Sequence, residues 1–173
     1  QADYVAEFIG HVPFVLEVND KVPRTYGQNQ VHISQIAGYI ENNAPLTETE
    51  QPIIGEKDIK IAEWIIKEIN NGDTLQIGIG AVPNAVMGML KDHRHLGIHT
   101  EMLTDGVVDL VASGAVDGTR KFTNKGKIVT TFAFGTLRLY DFLHENASVE
   151  FLPVSVVNDP REIAKEEQLV SIN

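Results

Sequence analysis

The chain has 173 residues, enough for one domain with a sizeable core. Its apolar content of 43% and charged content of 22% are those of an ordinary globular protein, and its net charge of −10 argues against a nucleic-acid partner, which needs a basic face. The absence of cysteine excludes disulfides, thiolate nucleophiles and cysteine-ligated zinc and favours a cytoplasmic home, while no apolar run approaches the ~20 residues that span a bilayer, so no membrane partner is expected.

The first 55 residues are the less regular part. Residues 12–19 read as a strand and 21–32 as a loop punctuated by Pro23 and Gly27. Ile33, Ile36, Ala37 and Ile40 have helical spacing, which predicts a helix over 32–43. Residues 44–55 are a polar connector. From residue 56 the pattern becomes regular. A helix over 56–69 places Ile59, Ala62, Ile65, Ile66 and Ile69 on one face, and Gly72 stops it. A strand over 74–80 leads to a helix over 83–93, with Pro83 in its first turn, where the missing N–H costs nothing. A strand over 96–103 follows, then a helix over 105–114 capped by Asp105 and closed by Gly114. The strand over 127–135 leads to a helix over 136–146 capped by Thr136. Residues 148–157 read as a strand broken by Pro153, 159–167 as a helix capped by Asp159 with Pro160 first, and 169–173 as a closing strand.

Strands alternating with helices through short loops predict an α/β fold, a mainly parallel sheet with helices on both faces. Ligands in such sheets gather at the carboxyl ends of the strands. The loop after 74–80, the end of 96–103 and the loop after 157 should all open on that edge. The chain is expected to divide into a connector-bearing part, 1–55, and a regular part, 56–173, that carries the candidate site. The apolar strand at its end also suggests part of a longer chain.

Two features on that edge bear on chemistry. In "GIGAVP", Gly78 and Gly80 permit close backbone approach, and the helix at Pro83 aims free N–H groups and a partial positive charge at the turn. Gly78, Gly80, Pro83 and Asn84 are therefore candidate ligand-binding residues for a phosphate, carboxylate or thioester carbonyl. A dinucleotide is a poorer fit, because proline stands where its third fingerprint glycine belongs. The second feature is Glu101, a glutamate in an otherwise apolar strand. A carboxylate there can be a surface group, a base or a nucleophile. His93, His95 and His99 cluster nearby, and His99 and Glu101 alternate onto one strand face, which could ligate a metal, but "KDHRHLG" reads as a polar helix end, and no metal is expected.

"LQIGIGAVPNAV" followed by "LGIHTEMLTDGVVDLV" resembles the acetyl-CoA hydrolase/transferase family, as do "VPRTYG", "GKIVTTFAFGTLRLYDFLHEN" and "VVNDP". Within the family the likeness is to 4-hydroxybutyrate and butyryl–acetate CoA-transferases. The resemblance implies the fold shared by CoA-transferases and sugar-phosphate isomerases, with Glu101 as nucleophile toward an acyl-CoA thioester. It implies that coenzyme A, as substrate, approaches the glycine turn, with no tightly bound cofactor. Gln76 would orient the carboxylate, Asn158 would be an amide donor to it, and Gln28 or Asn29 would contact the acyl group. The family's glycine-rich loop would lie beyond Asn173, so the chain alone is expected to be inactive, and the full-length protein to be a homo-oligomer. Three readings remain beside CoA transfer to a short-chain carboxylate: an acyl-CoA hydrolase using the same intermediate, a non-catalytic sensor of a phosphate-bearing ligand, and a subunit interface.

Overall fold

The structure is a computed structural model and describes residues 3–173. In chain order its strands and α-helices are β1 (Val15–Val18), β2 (Tyr26–Gly27), β3 (Gly38–Glu41), α1 (Glu56–Ile65), β4 (Thr74–Ile77), α2 (Ala81–Met89), β5 (Gly97–Leu103), α3 (Asp105–Ala112), β6 (Ile128–Ala133), α4 (Leu137–Leu143), β7 (Val149–Phe151), α5 (Val154–Val157), α6 (Pro160–Ile163) and β8 (Leu169–Ile172). Six strands form one sheet in the order β2-β7-β6-β5-β4-β8, and β1 pairs with β3 in a second. All of these pairings are parallel, as the alternation of strands and helices predicts.

The period-two alternation of side chains splits the large sheet into two unequal faces. Leu75 and Ile77 of β4, Ile98 of β5, Ile128 of β6 and Phe151 of β7 join the main core. Against them pack Ala62 of α1, Val86 of α2, Leu110 of α3 and Leu139 of α4. Leu75, Ile98, Leu110 and Leu139 are fully buried, each contributing about 1.5–3 kcal/mol of transfer free energy. On the other face Val129 of β6 meets Leu152 and Val157, a small cluster roofed by α5. That face carries His99 and Glu101.

Several elements differ from expectation. Residues 32–43 do not form a helix: Ile33–Gln35 is one 3-10 turn and Gly38–Glu41 is strand. The apolar period there covers barely two turns, too short to offset the cost of helix nucleation. β1 offers a parallel ladder instead, pairing Val15 with Gly38 through Val18 with Glu41. The strand expected over 148–157 ends at Phe151, because Pro153 cannot continue the ladder, and Val154–Val157 turns into a short helix. α1 stops at Ile65 and tightens into a 3-10 turn over Ile66–Glu68. Its stripe is still the buried one, with Ala62 and Ile69 inside, although Ile59 is exposed. α2 starts at Ala81 with Gly80 as N-cap, so Pro83 sits at the third helical position, still among residues whose N–H has no helical partner. The loop expected over 21–32 contains the edge strand β2.

Asp105 does not cap α3. Thr104 holds the N-cap position without a side-chain bond, and Asp105 is the first helical residue. Its buried carboxylate accepts instead from the Thr136 backbone N–H (3.0 Å), the Thr136 hydroxyl and the Gln51 amide (3.0 Å). Thr136, at the N-cap of α4, thus directs its hydroxyl to Asp105 and does not cap its own helix. The connector over residues 44–55 is pinned along the same edge. Tyr140 donates to the Thr47 carbonyl, and the Leu137 N–H donates to Glu48. Gly114 does close α3, with φ of 76°.

Candidate active site

Glu101 lies near the carboxyl end of β5, the second inner strand from the β8 edge. β4 and β5 part as they approach it. Their ladder holds only Thr74 to Gly97 and Leu75 to Ile98. Beyond that, the buried Thr100 hydroxyl takes over, accepting from the Ile77 N–H (3.1 Å) and donating to the Ile77 carbonyl (2.9 Å). On the other side, the Thr130 hydroxyl of β6 donates to the Glu101 carbonyl at 2.9 Å. Two threonine hydroxyls thus hold the backbone beside Glu101. The separation leaves room for a side chain and a ligand between the strand ends.

The Glu101 side chain is exposed. It opens on a crevice of about 220 Å³ that Gln76, His99, Asn158 and Ser171 also line. Asn158 donates from Nδ2 to Glu101 Oε2 at 2.9 Å. Asn158 is the C-cap of α5, so its position follows from the early end of β7 at Pro153. Gln76 of β4 pairs in register with Ser171 of β8, and its Oε1 accepts the Ser171 hydroxyl. The structure therefore brings Glu101, Gln76 and Asn158 to one crevice.

The glycine turn is placed differently. Gly80 carries φ of 133°, a conformation that favours glycine, and together with Ile79 and Asn84 it lines a second cavity of about 290 Å³. Met102, Phe134 and the connector residues Gln51 and Pro52 are also in its wall. Met102 follows Glu101 along β5, so the two cavities flank the strand end from opposite sides of the sheet. Pro83 is buried in the first turn of α2. Gly78 lies against β8: an added Cβ would stand 2.6 Å from Asn173 Oδ1 and 3.1 Å from the Ile172 carbonyl. Its lack of a side chain is accounted for by that packing. Gln28 and Asn29 line a separate cavity of about 140 Å³ with Phe14 and Leu16. They are not brought to the Glu101 crevice.

The histidines near Glu101 diverge. His93 Nε2 lies 3.2 Å from the Ile69 carbonyl and His95 Nδ1 2.8 Å from Asp117. His99 is buried, with Nε2 2.8 Å from the Val157 carbonyl. A carbonyl can only accept, so Nε2 carries the proton. Burial is the largest cause acting on His99 and lowers its pKa, against a smaller raising effect of the Val157 hydrogen bond. The imidazole is thus neutral at pH 7. Beneath the other end of β5, Lys121 is fully buried and donates to the carbonyls of Ile98 and Lys127, both at 3.0 Å. Glu166 beside it accepts from Phe122 N–H (3.0 Å), Thr123 N–H (2.9 Å) and the Thr74 hydroxyl (3.4 Å). Its burial raises the pKa, but the Thr123 hydroxyl, the Phe122 and Thr123 N–H groups and the Lys121 charge outweigh that and hold it below the usual range.

With this geometry in place, the kin of the chain can be compared. Residues 135–173 match the acetyl-CoA hydrolase/transferase C-terminal domain. The 4-hydroxybutyrate coenzyme A transferase of Clostridium kluyveri is 44% identical over 159 residues, which is 92% of this chain and 37% of that protein. The chain is a homologue of the acetyl-CoA hydrolase/transferases. The succinyl-CoA:cyclohexane-1-carboxylate CoA transferase of Geobacter metallireducens is 45% identical, over 92% of this chain and 36% of that protein. The crystal structure of 4-hydroxybutyrate CoA-transferase from Porphyromonas gingivalis superposes with a TM-score of 0.93 at 39% identity, covering 100% of this chain and 44% of that one. RipA from Yersinia pestis superposes at 0.95 with 38% identity, over 99% and 40%. This acetyl-CoA hydrolase/transferase homologue thus spans a little over a third of the length of these curated relatives. The α/β fold with its mainly parallel sheet is the one these CoA-transferases have.

Sequence reasoning overlooked Ser171, Thr100 and Thr130 as parts of the crevice wall and its support. It weighed His99 only as a metal ligand. The alternation of His99 and Glu101 along one strand puts both on the same face, as read from the sequence, but says nothing of the Val157 carbonyl that His99 meets. The partners, Val157 and Ser171, lie 58 and 95 residues away from the groups they meet, beyond any local pattern.

Proposed function

We propose that this chain carries the nucleophile of a CoA-transferase, which moves CoA from an acyl-CoA thioester to a short-chain carboxylate such as acetate, butyrate or 4-hydroxybutyrate. The observation that carries the reading is the placement of Glu101: exposed at the carboxyl end of a central parallel strand, with one oxygen held by Asn158 at 2.9 Å. The names of the relatives, all CoA transferases, support the reaction class.

The chemistry divides into four transfers. The free Glu101 oxygen attacks the thioester carbonyl, the C–S bond breaks, and an acyl-glutamyl anhydride and CoA thiolate result. The thiolate then attacks the glutamyl carbonyl, expelling the first carboxylate and leaving a glutamyl-CoA thioester. The acceptor carboxylate attacks that thioester and releases the thiolate again. Finally the thiolate attacks the acceptor's carbonyl, giving the new acyl-CoA and the original Glu101 carboxylate. Each step exchanges one acyl bond for another, and no proton or electron is left over. Splitting the exchange through a covalent intermediate replaces one difficult step by easier ones. Asn158 keeps the carboxylate aimed, so less orientational freedom is lost in the attack. Gln76, which lines the same crevice with its Oε1 accepting from Ser171, is the second amide proposed to orient the carboxylate. Gly80 and Asn84, which line the neighbouring cavity, mark the proposed approach of CoA, with Gly78 and Pro83 shaping the turn and the start of α2 that carry them.

The test is acceptor dependence in the protein at full natural length. Glu101→Gln, which keeps shape and removes the anionic oxygen, should abolish both transfer and hydrolysis while leaving acyl-CoA binding measurable. Wild type should give new acyl-CoA in proportion to added carboxylate. Release of free CoA without any acceptor effect would instead mark the hydrolase, and full activity in Glu101→Gln would remove the nucleophile from the account.

A further inference from the structure

His99 has no part in the transfers above, yet it is buried at 4% exposure directly under them. It sits two residues before Glu101, on the same face of β5. Its Nε2–H donates to the Val157 carbonyl at 2.8 Å. The next residue, Asn158, donates to Glu101 Oε2 at 2.9 Å. The contacts close a ring: from β5 at His99 to Val157, through one peptide bond to Asn158, and back to β5 at Glu101.

We infer that His99 is a positioning residue, which sets the Val157–Asn158 peptide so that the Asn158 amide fixes the reactive carboxylate of Glu101. This deepens the proposed function and rests on it. The case is geometric. α5 has four residues, Val154–Val157, and a helix that short has no stability of its own. Its place depends on tertiary contacts, among them the packing of Val156 and Val157 against Val129 and Leu152, the Ser155 hydroxyl's bond to Glu7 and, on the side of β5, the bond from His99. Packing holds the side chain of Val157, and the N–H of the following peptide donates to the Val154 carbonyl at 2.9 Å. The His99 bond takes the carbonyl end of the same peptide and ties it to β5, the strand that bears Glu101, and so sets the direction of the Asn158 side chain relative to the carboxylate. The tautomer suits the task. Nδ1 has no hydrogen-bond partner among the described residues, so a second proton would be buried without an acceptor, and the ring stays a neutral donor. The charged groups that act on it, Lys121 below and Glu162 and Glu166 from the α6 side, do not displace this balance.

The experiment is a single-turnover measurement of glutamyl-CoA adduct formation in the protein at full natural length, for His99→Leu, His99→Gln and Asn158→Ala, singly and combined. Leucine fills the space without a donor, whereas the glutamine amide can restore one near the Nε2 position. His99→Leu should slow adduct formation by about 10- to 100-fold, the scale of a modest misplacement of a reacting group, with acyl-CoA KM little changed. His99→Gln should recover most of the rate. In the Asn158→Ala background, His99→Leu should cost little more, because its effect passes through Asn158. An unimpaired His99→Leu, equal losses in the leucine and glutamine variants, or additive losses with Asn158→Ala would each overturn the inference. A wild-type protein that forms no adduct at Glu101 would overturn the nucleophile reading, and the inference with it.

Discussion

Replacing Lys121 with methionine should change how stability depends on pH, more than stability itself. The ammonium is fully buried, and its two hydrogen bonds go to neutral carbonyls, those of Ile98 and Lys127. Burial, only partly offset by Glu166 and Glu150, pushes its pKa down to about 8 from 10.5. The sign follows from proton binding. Between pH 8 and 10.5 the unfolded chain holds a proton that the folded chain has released, so stability rises with pH in that window. Below pH 8 both states are charged and the full penalty of burying the charge is present. From pH 7 to pH 10 the gain for this one group is roughly 2 kcal/mol, because each pH unit over which the two states differ by a whole proton is worth about 1.4 kcal/mol. Lys121→Met removes the titrating group while filling the space. Urea titrations of both proteins at pH 7, 8, 9 and 10 would give the difference directly, since all other groups cancel. Wild type should gain roughly 2 kcal/mol on the variant across that series. Near pH 7 the variant should be about as stable as wild type, because a buried charge is often replaceable by an apolar group. Parallel stability curves would refute the reasoning and mean that Nζ reaches water.

Two other substitutions probe the walls of the crevice. Asn158→Ala removes the amide bonded to Glu101 Oε2, a hydrogen bond to a charged group, so the expected cost is about 1.4–2.8 kcal/mol, roughly a 10- to 100-fold fall in kcat/KM; unchanged kinetics would show that the bond does not aim the nucleophile. Thr100→Val keeps volume but leaves the Ile77 N–H and carbonyl without the hydroxyl that bridges them, so stability in urea should fall by about 1–3 kcal/mol and the Ile77 amide should exchange faster. Thr100→Ser should preserve both, and a loss in the serine variant with none in the valine variant would point to methyl packing as the cause.

The regular part of the fold was legible in the sequence because its elements obey local rules. The isoleucine stripe of α1, the proline at the start of α2, Gly114 after α3 and the Asp159–Pro160 start of α6 each act within a few residues. Asp159 does accept from the Arg161 N–H, and the adjoining Arg161 guanidinium holds its carboxyl down to about 2. What was illegible depended on distant partners. Residues 38–41 became a strand because β1 lies alongside. Asp105 left the cap position for Thr136, 31 residues on. Lys121 reads as one more charge in "RKFTNKGK", a polar run, and nothing local reveals that it lies under Ile98. The same division applies to the candidate site. Alternation placed His99 and Glu101 on one face, and the edge rule for parallel sheets brought Asn158 near them. The glycine turn was read as part of the same pocket, whereas Gly80 lines the neighbouring cavity and Gly78 packs on β8, since Glu101 and Met102 point to opposite sides of β5.

The most direct test of the account is a mass measurement. The protein at full natural length is incubated with acyl-CoA, treated with borohydride and digested for mass spectrometry. A glutamyl-CoA thioester at Glu101 would be reduced to an alcohol, so the peptide bearing Glu101 should lose one oxygen and gain two hydrogens, and Glu101→Gln should show no change. If wild type turns over acyl-CoA while that peptide stays unaltered, Glu101 does not carry the CoA, and the central claim is wrong.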